Sequence, residues 1–410
     1  MNFNTLTLLP FLFLLGTNEG KLFCPESDEF SDVDHLFRSR GYLQYREKQR
    51  ITFFDYLLRG TQLMQSDVYG DFYQLLDHPE YMLRKIDADS FELYPILERE
   101  VDMLRHICKQ EQDDYYEFSP CRSHAILAYH GCVRSKKEIY QFLERSTSAL
   151  SDEEVLKVYQ LLPPKDRAKV MLDIIDRVIE LHSSGVVHSY LQPSNIVMKN
   201  SDFTEFRLTG LSFANVEGRN FVGDKPRYRA PETYEVTLEG AKVRYTNDVF
   251  ALGMTFAEIE SEFDDWHDVV KKDCFKDPKN VSSCMTTINN GISKAFSDSK
   301  GLGSFVSVIK EAVSQNPKDR IRDMYEFSDK LLDEFILLKG AQDFISEFSK
   351  TQLPKPKGDK FHSYWRQNLA MILASKKYLD SLAKKSSGGL VAWVSGLVGA
   401  KSSKKNYIFV

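Results

Sequence analysis

The sequence predicts an α+β fold with two unlike halves, strand-rich first and helical second. Three short apolar runs, each of strand length, occupy residues 81–86, 125–133 and 138–144. Residues 91–107 lie between the first two runs and repeat their apolar side chains at helical spacing. From residue 246 to residue 336 most segments have helical periodicity, which is typical of a chain whose strands and helices are segregated.

The strongest helix is predicted over residues 165–183, just after the strand-rich part. Its main apolar residues are Val170, Leu172, Ile175, Val178 and Leu181. Gly185 follows closely and is expected to end the helix, because a glycine just past a helix commonly does so.

Length and composition allow one large two-lobed domain or two small ones. The chain has 410 residues, of which 42% are hydrophobic and 28% charged, and its net charge of -5 does not indicate nucleic acid binding. Residues 341–410 nevertheless carry twelve basic residues against four acidic ones, a local charge of +8. This basic tail is either a solvated face or a contact for an anionic membrane, an acidic partner or the chain's own body.

The N-terminus predicts a signal peptide over residues 1–20 and hence a secreted or luminal protein. An apolar run of ten residues, 6–15, is followed by small and polar residues, although no Lys or Arg precedes it. The alternative is a buried N-terminal helix. Residues 21–59 are polar with scattered aromatic residues and are interpreted as an N-terminal extension.

Six cysteines, an even number, remain after the predicted signal peptide, as expected in an oxidising compartment. Cys274 with Cys284 and Cys108 with Cys121 would each close a short polar loop. Cys24 with Cys132 would then follow by elimination, out of fifteen possible sets of pairs. Asn280 begins an N-glycosylation sequon inside the 274–284 interval.

The run His188–Ile196 is the most specific motif in the chain. It reads H-S-Y-L-Q-P-S-N-I and resembles the catalytic loop H-R-D-L-K-P-x-N-I of eukaryotic protein kinases. His188 and Asn195 match that pattern, whereas Tyr190 replaces the catalytic aspartate and Gln192 replaces the lysine. In the family this aspartate orients and deprotonates the attacking hydroxyl. A phenol, with a pKa of about 10, stays protonated at neutral pH.

Further landmarks follow in kinase order, and the resemblance covers residues 60–337. Lys85 stands where the family has the strand lysine that contacts nucleotide phosphates, and Glu100 where its helical partner lies. Leu143 resembles the gatekeeper residue, and Glu144 opens the hinge. The resemblance implies a two-lobed fold, with a small β-rich N-lobe containing one main helix and a larger helical C-lobe.

Structural positions of the family are retained in the second half of the match. Glu232 ends an A-P-E motif, Asp248 begins D-V-F-A-L-G, and Arg320 ends N-P-K-D-R. The resemblance implies that these residues and His188 hold the fold, with Arg320 and Glu232 forming a buried ion pair. Residues 338–410 lie beyond it as a basic C-terminal extension, with an amphipathic helix over residues 361–382 and an apolar run over residues 389–398.

Positions that bind metal and phosphate depart from the family. Gly210 replaces the aspartate of D-F-G and offers no side-chain oxygen to Mg²⁺, which leaves Asn195 as a weak metal ligand. In the glycine-rich loop Gly70 keeps the third glycine position, but Gln65 and Asp67 take the first two. A displaced carboxylate, such as that of Asp202, Glu205 or Asp224, is the alternative source of catalysis. Ser189 also replaces the arginine that receives activation-loop phosphate in many kinases.

The sequence therefore predicts a secreted pseudokinase that binds a protein partner, for example an active kinase, without catalysis. ATP binding, with little or no Mg²⁺, is left open, because Lys85, Glu100 and Asn195 favour it whereas Gln192 and Gly210 oppose it. One alternative is an active secretory-pathway kinase that phosphorylates Ser or Thr through an unorthodox site. Another is an interaction scaffold whose nucleotide cleft is closed.

Overall fold

The computed structural model describes the greater part of the predicted kinase-like region and one helix beyond it. The described residues are 61–67, 70–76, 81–87, 94–108, 123–134, 138–221, 227–234, 241–261, 280–297, 301–338, 340–350 and 363–385. The predicted signal peptide, the N-terminal extension and the apolar run 389–398 lie outside these residues and stay predictions.

The N-terminal part is a five-stranded antiparallel sheet in the order β1-β2-β3-β5-β4. Its strands are β1 Thr61–Asp67, β2 Gly70–Leu75, β3 Tyr81–Asp87, β4 Tyr129–Arg134 and β5 Glu138–Glu144. Helix α1, Tyr94–Cys108, connects β3 to the rest of the sheet and packs against a short turn at Leu211–Phe213. The predicted strands at 81–86 and 138–144 and the helix at 91–107 are present with bounds close to those expected.

The C-terminal part is built from helices around a buried centre. The helices are α2 Glu153–Leu161, α3 Pro164–Ser183, α4 Tyr245–Glu260, α5 Val281–Ala295, α6 Val306–Ala312, α7 Met324–Leu337, α8 Ala341–Phe348 and α9 Tyr364–Lys385. From its third residue onward α4 is buried on all sides, and it packs against α2, α5, α6 and α7. Burial on all sides places α4 in the core of this part of the domain.

Two small sheets hold the loops that carry the kinase-like motifs. β8 Ile196–Met198 pairs with β6 Ser148–Ala149 and with β9 Phe206–Leu208, while β7 Val186–Val187 pairs with β10 Asn215–Val216. The catalytic-loop motif therefore lies between β7 and β8, and the D-F-G-like triplet lies between β9 and β10. Pairing of β8 with β9 and of β7 with β10 brings these two loops side by side.

Helix α3 ends as the sequence predicts. Its first residue is Pro164, whose missing N–H is not needed at a helix start, and Gly185 beyond its end has a φ of +77°. Burial of the α3 residues from Ala168 to Leu181 anchors the chain that leads directly into β7 and the catalytic-loop motif.

Helix α9 docks on the kinase-like body through its first turns. Trp365 is fully buried, packs edge-on against Phe335, and donates its indole N–H to Asp173 over 2.8 Å. The Arg366 guanidinium pairs with the same carboxylate, also at 2.8 Å. The C-terminal extension therefore belongs in part to the folded domain, in line with the usual packing of an amphipathic helix on its parent domain.

The cysteine and sequon predictions are only partly within the described residues. Cys284 lies partly buried on α5, and Asn280 is exposed immediately before that helix. The pairings proposed for Cys274, Cys108 with Cys121, and Cys24 with Cys132 each need a cysteine outside the described side chains. Of the helices the structure describes, none is both long enough and apolar enough to cross a bilayer.

Candidate functional site

A buried ion pair joins the sheet to helix α1, and it is made by Arg84. The Arg84 Nη1 lies 3.0 Å from the Glu100 Oε2, with both side chains more than nine-tenths buried. The resemblance implies Lys85 as the partner of Glu100, whereas in the structure the partner is the preceding residue, Arg84. Arg84 therefore takes the place predicted for Lys85 in the pair with Glu100. The predicted contacts of Lys85, Glu144 and Gly70 with a nucleotide stay predictions.

Strand geometry explains the correction. Successive side chains of a strand point to opposite faces, so Arg84 shares its face with Met82 and Ile86, whereas Lys85 belongs to the other face. Met82 and Ile86 belong to the core that includes residues of α1, and Arg84 pairs with Gln141 of β5 in register. The cation that the structure shows in contact with Glu100 of α1 is the one at position 84.

Three further side chains surround the Arg84–Glu100 pair. The Ser212 hydroxyl donates to the Glu100 Oε2 over 3.0 Å, and the Arg84 Nη1 donates to the Gln141 Oε1 over 3.2 Å. The Phe72 ring, on β2, lies 5.5 Å from the Arg84 guanidinium carbon, within cation–π range. Sequence reasoning missed Phe72, Gln141 and Ser212, since only the fold brings them together.

The backbone of the catalytic-loop motif is held by helix α4. Asp248 is fully buried and accepts the backbone N–H groups of His188, at 2.7 Å, and Ser189, at 2.8 Å. The His188 ring hydrogen-bonds the Thr209 carbonyl over 2.9 Å. Burial lowers the pKa of His188, although Asp248 and the Thr209 carbonyl act to raise it. The neutral imidazole thus ties the two loops together.

Tyr190, at the position of the catalytic aspartate, faces the inside of the site. Its ring packs edge-on against Phe213 with centroids 5.1 Å apart, and little of the side chain is exposed. The Asn195 side-chain amide donates to the Tyr190 carbonyl over 2.8 Å. Asn195 is therefore engaged in holding the loop rather than directed only towards a metal.

Gly210 has a backbone and a setting that suit glycine. Its φ is +75°, in the left-handed region that disfavours other residues. A β-carbon built at this position would lie 2.7 Å from the Asn195 side chain. The aspartate that the family has here would need Asn195 to move.

The residues present do not fit the magnesium-bound ATP of the kinase family. Mg²⁺ requires hard oxygen ligands, usually carboxylates, and Gly210 supplies no side-chain oxygen. The Asn195 NH2 group donates to the Tyr190 carbonyl, and the Asn195 Oδ1 takes no part in that hydrogen bond. No cluster of three His, Cys, Asp or Glu residues that could hold a metal occurs in the described part of the chain. The metal role predicted for Asn195 stays a prediction.

Two of the alternative carboxylates, those of Asp202 and Glu205, make contacts within the hairpin between β8 and β9. Asp202 accepts the backbone N–H and the hydroxyl of Thr204, at 3.1 and 2.6 Å. Glu205 accepts from Arg207 over 2.5 Å. These contacts explain both carboxylates as parts of a turn, and Asp224 lies outside the described residues.

The hairpin that replaces the glycine-rich loop has a tight register. Asp67 pairs with Gly70 across two intervening residues, and a bulge interrupts the pairing between Leu63 and Gln65. Positions 65, 67 and 70 thus fall on the hairpin as predicted. Nothing is described of the Gln65 and Asp67 side chains, so the expected repulsion of phosphate by Asp67 stays a prediction.

Leu143 and Glu144 are the last two residues of β5, where the gatekeeper and the start of the hinge are predicted. Leu143 is buried, and Glu144 forms an ion pair with Lys199 at 2.8 Å and accepts the Ala128 N–H at 3.3 Å. Burial acts to raise the pKa of Glu144, but Lys199 and the Ala128 N–H outweigh it, so the pKa is lowered. The Glu144 side chain therefore connects the hinge to the β8–β9 hairpin.

The predicted pair of Arg320 and Glu232 is present and bidentate. The two Arg320 terminal nitrogens lie 2.8 and 3.0 Å from the two Glu232 oxygens. Arg320 also donates to the Thr246 carbonyl over 2.9 Å. This bridge ties the A-P-E end of the activation segment to α4.

The comparison with known families agrees with this geometry. The family model of the protein kinase domain matches residues 102–331, more than half of the chain. That range contains Tyr190, Gly210 and Arg320, although it begins after Arg84 and Glu100.

Individual relatives are distant and cover parts of the chain. The chain is 26% identical over 192 residues to the membrane-associated tyrosine- and threonine-specific cdc2-inhibitory kinase wee-1.3 of Caenorhabditis elegans, covering 40% of this chain and 27% of that protein. It is 31% identical over 129 residues to the serine/threonine-protein kinase SSN3 of Candida glabrata, covering 30% of this chain and 22% of that protein. For the serine/threonine-protein kinase PrkC of Bacillus subtilis the identity is 25% over 126 residues, covering 30% and 19%.

The chain thus spans between 19% and 27% of the length of these relatives. The family match, the order of the motifs and the α+β architecture agree with one another. The chain belongs to the protein kinase domain family.

Proposed function

We propose that this chain is a pseudokinase of the secretory pathway, a kinase-like protein that binds a protein partner without transferring phosphate. The observation that carries the proposal is the packing at Gly210. The position of the metal-binding aspartate is a glycine in the left-handed region, and the Asn195 side chain occupies the space that a larger residue needs. Tyr190, at the position of the catalytic base, packs on Phe213.

The surroundings of Arg84 support weak or absent nucleotide binding. In a catalytic kinase the strand cation contacts both the helical glutamate and the nucleotide phosphates. Here the Arg84 guanidinium contacts Glu100 and Gln141 and lies over Phe72. The contact with Glu100 is one that catalytic kinases share, so a phosphate would compete only with the further contacts of Arg84 with Gln141 and Phe72.

The activation segment supports a binding role, because protein contacts hold much of it in place. The Phe221 N–H donates to the Ala241 carbonyl at 2.6 Å, and the Val243 N–H donates to the Arg219 carbonyl at 2.8 Å. Tyr228 is the one Ser, Thr or Tyr in residues 213–231 and donates its hydroxyl to the buried Glu258. Burial raises the pKa of Tyr228 well above its usual value. The proposal needs no phosphate to order this surface for a partner, for example an active kinase.

A secretory location is supported by the apolar N-terminal run and the even number of cysteines. Cys284 is disulfide-bonded, and Asn280 of the sequon is exposed at the start of α5. Both features suit an oxidising, glycosylating compartment.

Phosphoryl transfer is tested with the full chain and ATP labelled at its γ-phosphate. The proposal expects no incorporation into the chain or into generic Ser and Thr substrates above that of Asn195→Ala, the matched control for the retained ligand position. Incorporation by the natural chain that disappears in Asn195→Ala would establish the active-kinase alternative and overturn the proposal.

Nucleotide binding is tested separately by thermal unfolding with millimolar ATP, with and without Mg²⁺. The network around Arg84 predicts a small or absent shift that Mg²⁺ does not increase. A rise in the unfolding temperature that grows with Mg²⁺ would contradict the inference that the site around Gly210 binds no metal. No change in the unfolding temperature under either condition would favour the interaction scaffold whose nucleotide cleft is closed.

The location is tested by expressing the chain with its own N-terminus in eukaryotic cells. The product is expected in the medium, with its N-terminus after about residue 16–20. Treatment with a glycosidase should lower the mass of the natural chain but not that of the Asn280→Gln variant. A protein retained in the cytosol with its first residues intact would overturn this part of the proposal.

A further inference from the structure

Helix α9 leaves an apolar strip uncovered after its docked first turns. Trp365 and Leu369 are fully buried, but Met371 is 59% exposed and Ile372 is 41% exposed. Helical spacing returns to the same face after seven and eleven residues, so in the sequence the strip continues with Leu379 and Leu382. The apolar strip is defined as the exposed Met371 and Ile372, which docking on the body does not explain, together with the sequence positions Leu379 and Leu382.

Basic residues accompany the apolar strip. Lys376 and Lys377 are exposed, and the Lys377 ammonium donates to the Ser349 carbonyl over 2.8 Å, which fixes this part of α9 beside the end of α8. Helix α9 as a whole has five basic residues and one acidic residue, Asp380. In the sequence, Lys384 and Lys385 end the helix just before the apolar run 389–398.

We infer that the apolar strip and its lysines bind the surface of an anionic phospholipid membrane, with α9 lying in the plane of the interface. An amphipathic helix with a basic polar face gains both apolar burial and attraction to acidic headgroups. Trp393 in the following apolar run is a residue type that favours the interface. The inference is independent of whether the kinase-like domain transfers phosphate.

Charge argues against a second copy of the chain as the occupant of the strip. Helix α9 has five basic residues and one acidic residue, so packing two copies of it against each other would bring like-charged helices together, and like charges at close range repel. An anionic lipid surface instead attracts the lysines through its acidic headgroups, and it can adapt to the shape of the Met371 and Ile372 side chains.

The test uses the full chain and sedimentation with vesicles of phosphatidylcholine, alone or mixed with phosphatidylserine. The chain should sediment with the mixed vesicles and not with phosphatidylcholine alone, and binding should weaken as salt is raised. The double variant Met371→Ser, Ile372→Ser should bind about tenfold more weakly or worse, because both side chains lose apolar burial. Leu161→Ser, which removes an 84% exposed leucine from α2, is the matched control and should bind normally.

The charge component is measured with Lys376→Glu against Lys318→Glu, an exposed lysine on the connection between α6 and α7. Lys376→Glu should weaken binding to mixed vesicles by about fivefold or more, whereas Lys318→Glu should not. Thermal unfolding checks that each variant is folded, and Met371→Ser alone replaces the double variant if the latter is unstable.

Three results would overturn the inference. One is no sedimentation of the natural chain with mixed vesicles, and another is equal binding by the natural chain and a folded strip variant. The third is self-association in ultracentrifugation that the strip variant abolishes without any vesicle binding, which would assign the face to a second copy.

Discussion

Gly210 and Asn195 lie so close together that a β-carbon at position 210 would stand 2.7 Å from the Asn195 side chain. Asn195 is held there by its hydrogen bond to the Tyr190 carbonyl. Asn195, which the family retains, therefore contacts both altered positions: the backbone carbonyl of position 190 and the space beside Gly210. An aspartate at position 210 would need the Asn195 side chain to move.

The cost of filling position 210 can be separated from the cost of its backbone conformation. Gly210 and Gly185 have similar φ values, +75° and +77°, but a β-carbon at Gly185 would meet nothing within 4 Å. Gly185→Ala should therefore lose about 1–2 kcal/mol of unfolding free energy from backbone strain alone. Gly210→Ala should lose about 1–3 kcal/mol more, because the Asn195 side chain must shift. Chemical denaturation of both variants measures the difference, and equal losses would mean that Asn195 yields freely.

The Arg84–Glu100 pair predicts unequal roles for two adjacent basic residues. Arg84→Met leaves a buried carboxylate with only Ser212 as its remaining hydrogen-bond donor among the contacts described above, and should lose about 3–5 kcal/mol of unfolding free energy. Lys85→Met, on the other face of β3, should lose less than about 1 kcal/mol. Urea unfolding of the two variants decides between them. A larger loss for Lys85→Met than for Arg84→Met would support Lys85 as the partner of Glu100.

The sequence could predict the order of elements but not every side-chain partner. Strand β5 has the predicted bounds, 138–144, because its apolar run and flanking polar residues are local signals. The choice between Arg84 and Lys85 depended on register, and a shift of one residue exchanges the two faces of a strand. Apolar residues lie on both faces of β3: Met82 and Ile86 alternate with Arg84, and the buried Leu83 alternates with Lys85. The apolar pattern alone therefore did not specify which cation faces α1.

Other contacts join residues that are far apart in the sequence, so local sequence patterns could not predict them. Ser212 meets Glu100 across 112 positions of sequence, and Trp365 meets Asp173 across 192. Neither Ser212 nor Asp173 belongs to a pattern that specifies a partner, so their roles follow only from the packing of helices α1, α3 and α9.

The bidentate bridge of Arg320 and Glu232 should be intolerant of lysine. Arg320→Lys keeps the charge but cannot make both hydrogen bonds to the carboxylate, and it loses donors to the Thr246 and Ser314 carbonyls. The expected loss is about 1.5–3 kcal/mol of unfolding free energy. Arg322→Lys is the matched control: its exposed pair with Asp323, at 2.8 Å, should change stability by less than about 1 kcal/mol. Similar losses for both variants would show that the bridge adds little to the fold.

The docking of α9 should depend on pH through Asp176 of α3. This buried carboxyl accepts the backbone N–H groups of Tyr364, at 3.1 Å, and Trp365, at 3.5 Å, so it caps the start of α9 from another helix. Burial raises the pKa of Asp176 from its ordinary 3.8 to about 7, and Asp173 adds to the rise. A hydrogen bond from Ser363 and the charges of Arg177 and Arg366 act in the opposite direction.

Because the folded pKa exceeds the unfolded one, the folded state binds the proton of Asp176 more tightly. The resulting stabilisation is complete below about pH 3.8 and is lost as the pH rises through about 7. Asp176→Asn keeps an oxygen for the two N–H groups but removes the titration, so its unfolding free energy should fall less steeply than that of the natural chain between about pH 4 and about pH 8. Asp343→Asn, on the exposed side of α8, should retain the natural slope. If all three proteins show the same slope, the proton on Asp176 is not linked to folding, and α9 is held by Trp365 and the Asp173 ion pair regardless of pH.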